Sequence, residues 1–359
     1  MATNSLKIES IKELQRKLSS LFGVSGYEEE VRAFILGIVE DKRLADKVWT
    51  DPLGNVLAIK EGITGKNRIL LDAHIDEIGF MVSHITEKGF LRFVPVGTWD
   101  VRILLGQPVI LKSGNGKIYN GIIGSKPPHL STIEERKKLV DIDKMYIDIG
   151  MRSKEEVLEN HIDIGAVGTL DSPYIEFPNG MVRGKAFDDR TGCNVLIHIL
   201  MLLKTTNHSD TVLFNFAAQE ETGGQGAQTG AYTLKPSMAI AIENTTAGDV
   251  PGITADKIPV YIGKGPAITV ADISILSNPK VNARLIKNAE YENIPWQYKK
   301  PKYGKTDAGM IQVTRGGVPS TVVSVPCRYI HSPTSLLKLE DIYHTIRLIE
   351  AFIYNPANI

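Results

Sequence analysis

The chain alternates between two rhythms of apolar and polar positions. Ile11, Leu14, Leu18 and Leu21 recur at helical spacing and predict a helix over residues 8–21, stopped by Gly23 and Gly26. Ser25 ahead of Glu28, Glu29 and Glu30 predicts a capped start to a second helix through Val31, Phe34, Ile35 and Ile38. Short apolar runs then predict strands. One covers 56–59, after a turn at 51–55 carrying Asp51, Pro52 and Gly54, and the next starts at Arg68 and ends in polar groups at 74–77. Helices followed by strands with short joins predict an α/β architecture.

The rhythm changes after Gly79. From Phe80 to about Ile175 the pattern predicts short strands broken by glycine turns, at 90–94, 108–112 and 117–123. One capped helix is expected at 153–158, where Ser153 precedes Glu155 and Glu156. The α/β rhythm resumes near Phe187, with apolar strands at 211–216, 238–242 and 320–325 and a closing helix over 339–354. The expected organisation is an α/β domain in two parts, 1–79 and 176–359, with a small β-rich domain of 80–175 inserted between them. A length of 359 residues suits two domains.

Composition narrows the function classes. Hydrophobic residues make up 43% and charged residues 23%, as in a soluble globular protein with a sizeable core. Lys+Arg 41 balance Asp+Glu 41, so no global basic field argues for nucleic acid or an anionic membrane surface. Two cysteines, Cys193 and Cys327, are too few for a disulfide framework and suit a reducing compartment. Residues 1–7 lack the apolar core of a signal peptide, and no apolar run is long enough to span a bilayer. A cytoplasmic protein is expected.

The candidate chemistry lies where strand-like runs end. Glu220 and Glu221 follow the run 211–216 and precede Gly223 and Gly224, so both should sit where α/β sheets place their sites. Adjacent side chains point in different directions, leaving one carboxylate for a metal and the other for a reacting water. Taken alone, a Glu-Glu pair reads as an exposed acidic turn. Four further clusters reverse that. His74 and Asp76 share one face of a strand, so the imidazole can take a metal while the carboxylate holds its other ring nitrogen. Asp188 and Asp189 precede an apolar helix, where an acidic pair either caps the helix or bridges two ions. Glu243 ends an apolar strand, and a buried carboxylate there needs a partner. His331 follows the run 320–325, with a satisfied structural histidine as its alternative. Two histidines and three carboxylates, with a spare glutamate, suit a two-zinc or two-cobalt hydrolytic site with open positions for water.

Six stretches together resemble the M42 family of metallo-aminopeptidases, the self-compartmentalising TET peptidases, over essentially the whole chain. They are Gly23 to Glu29, His74 to Gly79, Lys185 to Arg190, Gln219-Glu220-Glu221, Thr306-Asp307-Ala308 and Arg328 to Pro333. The resemblance implies a zinc-peptidase-like α/β catalytic domain with an inserted PDZ-like or barrel-like dimerisation domain. It implies two divalent ions, one held by His74, Asp188 and Glu243 and the other by Asp188, Glu221 and His331, with Asp188 bridging. Glu220 is then the general base, Asp76 orients His74, and a carboxylate such as Asp307 receives the amino terminus of a peptide substrate. Dimers building a hollow dodecamer are implied as well. Three positions depart from the family pattern: Glu243 where many members have Asp, Lys305 where glycine often precedes the Thr-Asp pair, and Ser335 in place of a common glutamate. The expected activity is removal of single residues from peptide N-termini in the cytoplasm. The alternatives are another hydrolase on the same scaffold, since some members carry an endoglucanase label, and a non-catalytic assembly protein.

Overall fold

The computed structural model describes residues 6–300 and 304–355, so residues 1–5 of the stretch read for a signal peptide lie outside the described residues. The chain divides its strands between an eleven-stranded sheet and a closed six-stranded barrel. At the centre of the large sheet Thr211–Ala217, Arg68–His74, Met238–Thr246 and Ser320–Arg328 lie side by side and parallel. All four are buried along nearly their whole length, which is why they read as continuous apolar runs rather than as alternating ones. Helices cover the faces. Phe187–Leu203, the most buried of them, and Leu339–Tyr354 share one apolar core with Ile8–Ser20 and Glu29–Asp41.

Parallel strands all end toward the same edge, and the register brings His74, Ala217 and Glu243 level there. Ala217 pairs with His74, and Ala241 pairs with Asp72, so Glu243 stands beside His74. Glu243 does not end its strand as expected, because pairing with Ser320–Arg328 carries the strand on to Thr246. That pairing partner is distant in sequence and invisible to a local apolar count.

The barrel takes the strands Gly79–Ile85, Leu91–Val96, Pro108–Lys112, Ile118–Gly124, Tyr146–Asp148 and Val167–Leu170. It has its own core, built on Phe80, Val82, Leu91, Phe93, Leu111 and Ile147. Closure removes the exposed edges that short strands would otherwise leave for aggregation. The expected helix is present at Lys154–Glu159, with Ser153 Oγ accepting from Glu156 N. Ile175–Glu176 already belongs to the large sheet, paired with Met181–Gly184. Within the barrel Trp99 stacks on Phe80 (4.8 Å, 17°) and donates from Nε1 to Gly79 O (2.9 Å), while Thr169 Oγ1 ties the barrel to the α/β domain by donating to Glu77 Oε2 (3.1 Å).

One predicted cap is absent. The helix Glu29–Asp41 starts without a side-chain cap, and Ser25 Oγ donates instead to Asp76 Oδ2 (2.5 Å), 51 residues away.

Candidate metal centre

Each site residue reaches the common edge by a different local device. His74 is the last residue of its strand. Glu220 and Glu221 follow the strand Thr211–Ala217 in a turn that Gln219 enters at φ +58°. Gly223 and Gly224 close that turn by donating to Glu220 O (2.8 and 2.9 Å), at positive φ values that suit glycine. His331 lies past the strand Ser320–Arg328 with φ +56°. Asp188 and Asp189 open the helix Phe187–Leu203 with non-helical backbone angles, and they divide the two roles considered for them. Asp189 Oδ1 accepts from Gly192 N (3.0 Å), as a cap does, whereas Asp188 turns into the cluster.

The structure brings five predicted residues together in two overlapping groups of three, His74 with Asp188 and Glu243, and Asp188 with Glu221 and His331. Within each group one ligand atom per residue lies within 4.8 Å of the others. Asp188 is common to both. Its Oδ1 is 3.5 Å from His74 Nε2 and its Oδ2 is 3.3 Å from His331 Nε2, so its two oxygens face opposite ways. Glu221 Oε1 is 3.2 Å from His331 Nε2, and Glu243 Oε2 is 4.0 Å from His74 Nε2. Glu220 stands beside His74 and Glu221 in a third such group.

Taken by themselves, the protein groups are short of positive charge. Burial, opposed by His74 and reinforced by Glu221 and Asp76, lifts the Glu220 carboxyl to about 8. Burial also raises Glu221 and pushes Glu243 well above the usual carboxylate range. The histidines move the other way from what burial alone would do. Asp188 and Glu221 outweigh it and hold His331 at about 10, while Asp188 and Asp76 hold His74 well above its ordinary value. Asp188 is lowered, since the two imidazoles overcome its burial. Imidazole nitrogens and carboxylate oxygens crowded in this way fit divalent ions of the zinc type, whose charge would relieve the crowding.

Asp76 does more than was expected of it. Its Oδ1 lies 3.4 Å from His74 Nδ1, and its backbone carbonyl 3.3 Å from the same nitrogen. Closer contacts go elsewhere, to Ser25 Oγ and to the backbone amides of Glu220 (2.9 Å) and Glu221 (3.1 Å). Asp307, expected at the substrate's amino terminus, has no exposed surface in this arrangement. Its backbone N donates to Glu243 Oε1 (3.0 Å), and both its carboxyl oxygens lack a hydrogen-bond partner among the described residues. Burial and the nearby Asp72 push it well above the carboxylate range. In this arrangement the Asp307 carboxyl is therefore not open to a substrate amine.

Sequence reasoning missed Glu28, buried and bonded to Gln219 N (3.2 Å), and Asp72, buried behind the site. Ser25 and Glu28 stand at the spacing of a capping box, which hides their actual use. The strand 68–74 gives Asp72 no signal apart from an acid in an apolar run.

Paired imidazoles about a shared carboxylate, with a separate glutamate alongside, define a metal-dependent hydrolase site. The model of the M42 glutamyl aminopeptidase family matches residues 54–348, and the chain belongs to that family. A putative aminopeptidase of Acetivibrio thermocellus is 39% identical over 341 residues, covering 95% of this chain and 98% of the relative. The TET aminopeptidase structure from Thaumarchaeota archaeon SCGC AB-539-E09 superposes with a TM-score of 0.93 at 39% identity, over 98% of this chain and 97% of that one. The TET1 peptidase of Pyrococcus horikoshii, described as assembling into a tetrahedron or a large octahedral shell, matches with a TM-score of 0.86 at 34% identity, over 96% and 100% of the two chains. The chain is an aminopeptidase, an exopeptidase hydrolase of a metal-dependent family, on the expected fold of an α/β domain with an inserted β barrel. The endoglucanase and assembly-protein alternatives fall away with that finding.

Proposed function

We propose that the protein removes single residues from peptide N-termini with two divalent ions, zinc or cobalt, in each subunit. His74, Asp188 and Glu243 would hold one, and Asp188, Glu221 and His331 the other. The observation that carries this reading is Asp188, whose two oxygens face His74 and His331 from opposite sides. When bound, such a pair of ions supplies Lewis acidity toward the scissile carbonyl and makes a water acidic enough to attack at neutral pH. Glu220 takes the proton of that water on its carboxylate and returns it to the departing amine. Asp76 keeps Glu220 and Glu221 in place through their backbone amides.

Amide substitutions at the two adjacent glutamates test the assignment. Glu220→Gln keeps the shape but cannot accept a proton, so metal content should stay near normal while kcat falls by roughly 10²–10⁴-fold. Glu221→Gln removes an anionic ligand, so metal affinity itself should drop and added metal should restore some activity. Elemental analysis beside steady-state kinetics decides it, and metal loss confined to Glu220→Gln would reverse the two roles.

The same reading takes residues 80–175 as the oligomerisation insert and has dimers of this chain build a dodecamer in the cytoplasm. Its supports are the closed barrel and the likeness to TET1 of Pyrococcus horikoshii. Both cysteines are free and buried, and among the described residues no helix is long and apolar enough to cross a membrane. Light scattering on a chain with residues 82–168 replaced by a short linker should find a small species. A full-size particle would remove the insert from the assembly.

A further inference from the structure

Three consecutive backbone amides in the turn that carries the two glutamates each point at a buried carboxylate. Gln219 N donates to Glu28 Oε1 (3.2 Å), Glu220 N to Asp76 Oδ1 (2.9 Å) and Glu221 N to Asp76 Oδ2 (3.1 Å). Both carboxylates are tied to one loop ahead of the helix Glu29–Asp41. Gly26 N donates to Glu28 Oε1 (2.6 Å), and Ser25 Oγ donates to Asp76 Oδ2 (2.5 Å). Glu28 is 2% exposed and Ser25 6%. The turn needs such a hold, because Gln219 sits at φ +58°, a conformation that a residue with a side chain seldom adopts.

Glu28 has no comparable duty toward its own helix, which starts without a side-chain cap. Burial, set against the Gly26 amide and reinforced by Asp76, lifts its carboxyl to about 7. Burying one acid beside another is costly, so stability alone does not account for its presence. Among the described residues its hydrogen bonds run to Gly26 and Gln219 and to none of the candidate metal ligands.

We propose that Glu28 is a positioning residue for the reaction: its carboxyl oxygen, with Ser25 steadying Asp76, holds the backbone from which Glu220 reaches the attacking water. The inference rests on the reading of Glu220 as the base. What matters is then the reach of the acceptor rather than its charge.

A pair of substitutions separates reach from charge. Glu28→Gln keeps an acceptor oxygen at full length, whereas Glu28→Asp keeps the charge on an arm one methylene shorter. With metal content and KM near those of the parent enzyme, Glu28→Asp should lower kcat roughly tenfold, the worth of one buried hydrogen bond to a charged group. Glu28→Gln should recover kcat to within about threefold of the parent, since its oxygen still meets both amides. A merely structural role would lower Tm and leave kcat alone. The proposal is overturned if Glu28→Asp keeps its kcat, if Glu28→Gln falls as far as Glu28→Asp, or if either loss follows metal content. Glu220→Gln measured alongside distinguishes the two levels. If it keeps kcat, the base is misassigned and the Glu28 proposal falls with it, but if it is inactive with metal retained, the Glu28 variants judge this inference alone.

Discussion

Two clusters of buried charge draw on the stretch His74 to Gly79, one through Glu77 and the other through His74, and they resolve their charge in opposite ways. In one, Glu77 is surrounded by donors. Lys185 Nζ contacts both its oxygens (2.7 and 2.9 Å), Thr169 Oγ1 donates to Oε2 (3.1 Å), Gly23 N donates to Oε1 (3.2 Å), and Arg190 Nη2 lies 3.7 Å from Oε1. Lys185 also donates to Leu21 O, and Arg190 to the carbonyls of Ile75 and Leu18. In the other cluster, Asp188, Glu220, Glu221 and Glu243 have two imidazoles as their close cationic partners among the described residues, and three of the four carboxyls are raised while Asp188 is lowered. The first cluster is complete in protein atoms and ties the barrel strand Val167–Leu170 to the α/β domain. The second lacks such protein counter-charge among the described residues, which suits the proposed metal site. Burial therefore does not tell a structural charge from a functional one, but the presence or absence of protein counter-charge does.

The largest way to break this contrast is to unbalance the complete cluster. Glu77→Gln leaves Lys185 and Arg190 without their anion and should cost about 3–5 kcal/mol of stability, whether or not metal is added. Chemical denaturation with and without excess zinc measures it, and a loss below about 1 kcal/mol would mean the cluster is not a structural tie.

Acid should act on the incomplete cluster instead. Metal binding needs neutral imidazoles, and Asp188 with Glu221 holds His331 at about 10 against its burial. Below that value each displaced proton should change the apparent metal affinity about tenfold per pH unit, with binding tighter at higher pH. The sign for folding is the reverse. A histidine raised from 6.5 stabilises the chain stripped of metal fully below about 6.5, and that contribution fades as pH rises toward 10. Chelator competition between about pH 6 and 8 reads the first effect, and a flat profile would contradict the proton count.

The smallest effect is expected at Glu243. Its extra methylene lets Oε1 accept from Asp307 N while Oε2 stays 4.0 Å from His74 Nε2. Glu243→Asp should give up the Asp307 contact, costing about 1 kcal/mol of stability, and bind the His74-side ion as tightly or up to about tenfold more tightly. Calorimetric titration of Glu243→Asp beside the parent chain compares them. Weaker binding by the aspartate would show that the longer arm is needed.

Much of this was legible in the chain before folding. The strand at 211–216 and the closing helix follow from period and propensity and were found within a residue or two, while the strand starting at Arg68 ends at His74, short of Glu77, and the glycine-broken segment forms the barrel. His74, Asp188, Glu221, Glu243 and His331 stood out because polar groups ended apolar runs. Ser25 and Glu28 were misread, because a serine or glutamate ahead of a helix has an ordinary local use as a cap, and no local pattern says whether that use is taken up.

The sequence by itself determined most of the helices and strands, that a β-rich segment interrupts the α/β domain, and which polar side chains stand at the ends of the apolar runs. Those properties depend on neighbours a few positions away. Only the tertiary structure decided which oxygen of Asp188 faces which histidine, that Asp189 caps while Asp188 does not, that Asp307 is buried, and that Glu28 and Asp76 grip the turn bearing Glu220. Apart from the local Asp189 cap, those outcomes rest on contacts between residues 51 to 191 positions apart. Hydrogen bonds reward such contacts only at definite distance and angle, and these are set when parallel strands bring their ends to one edge.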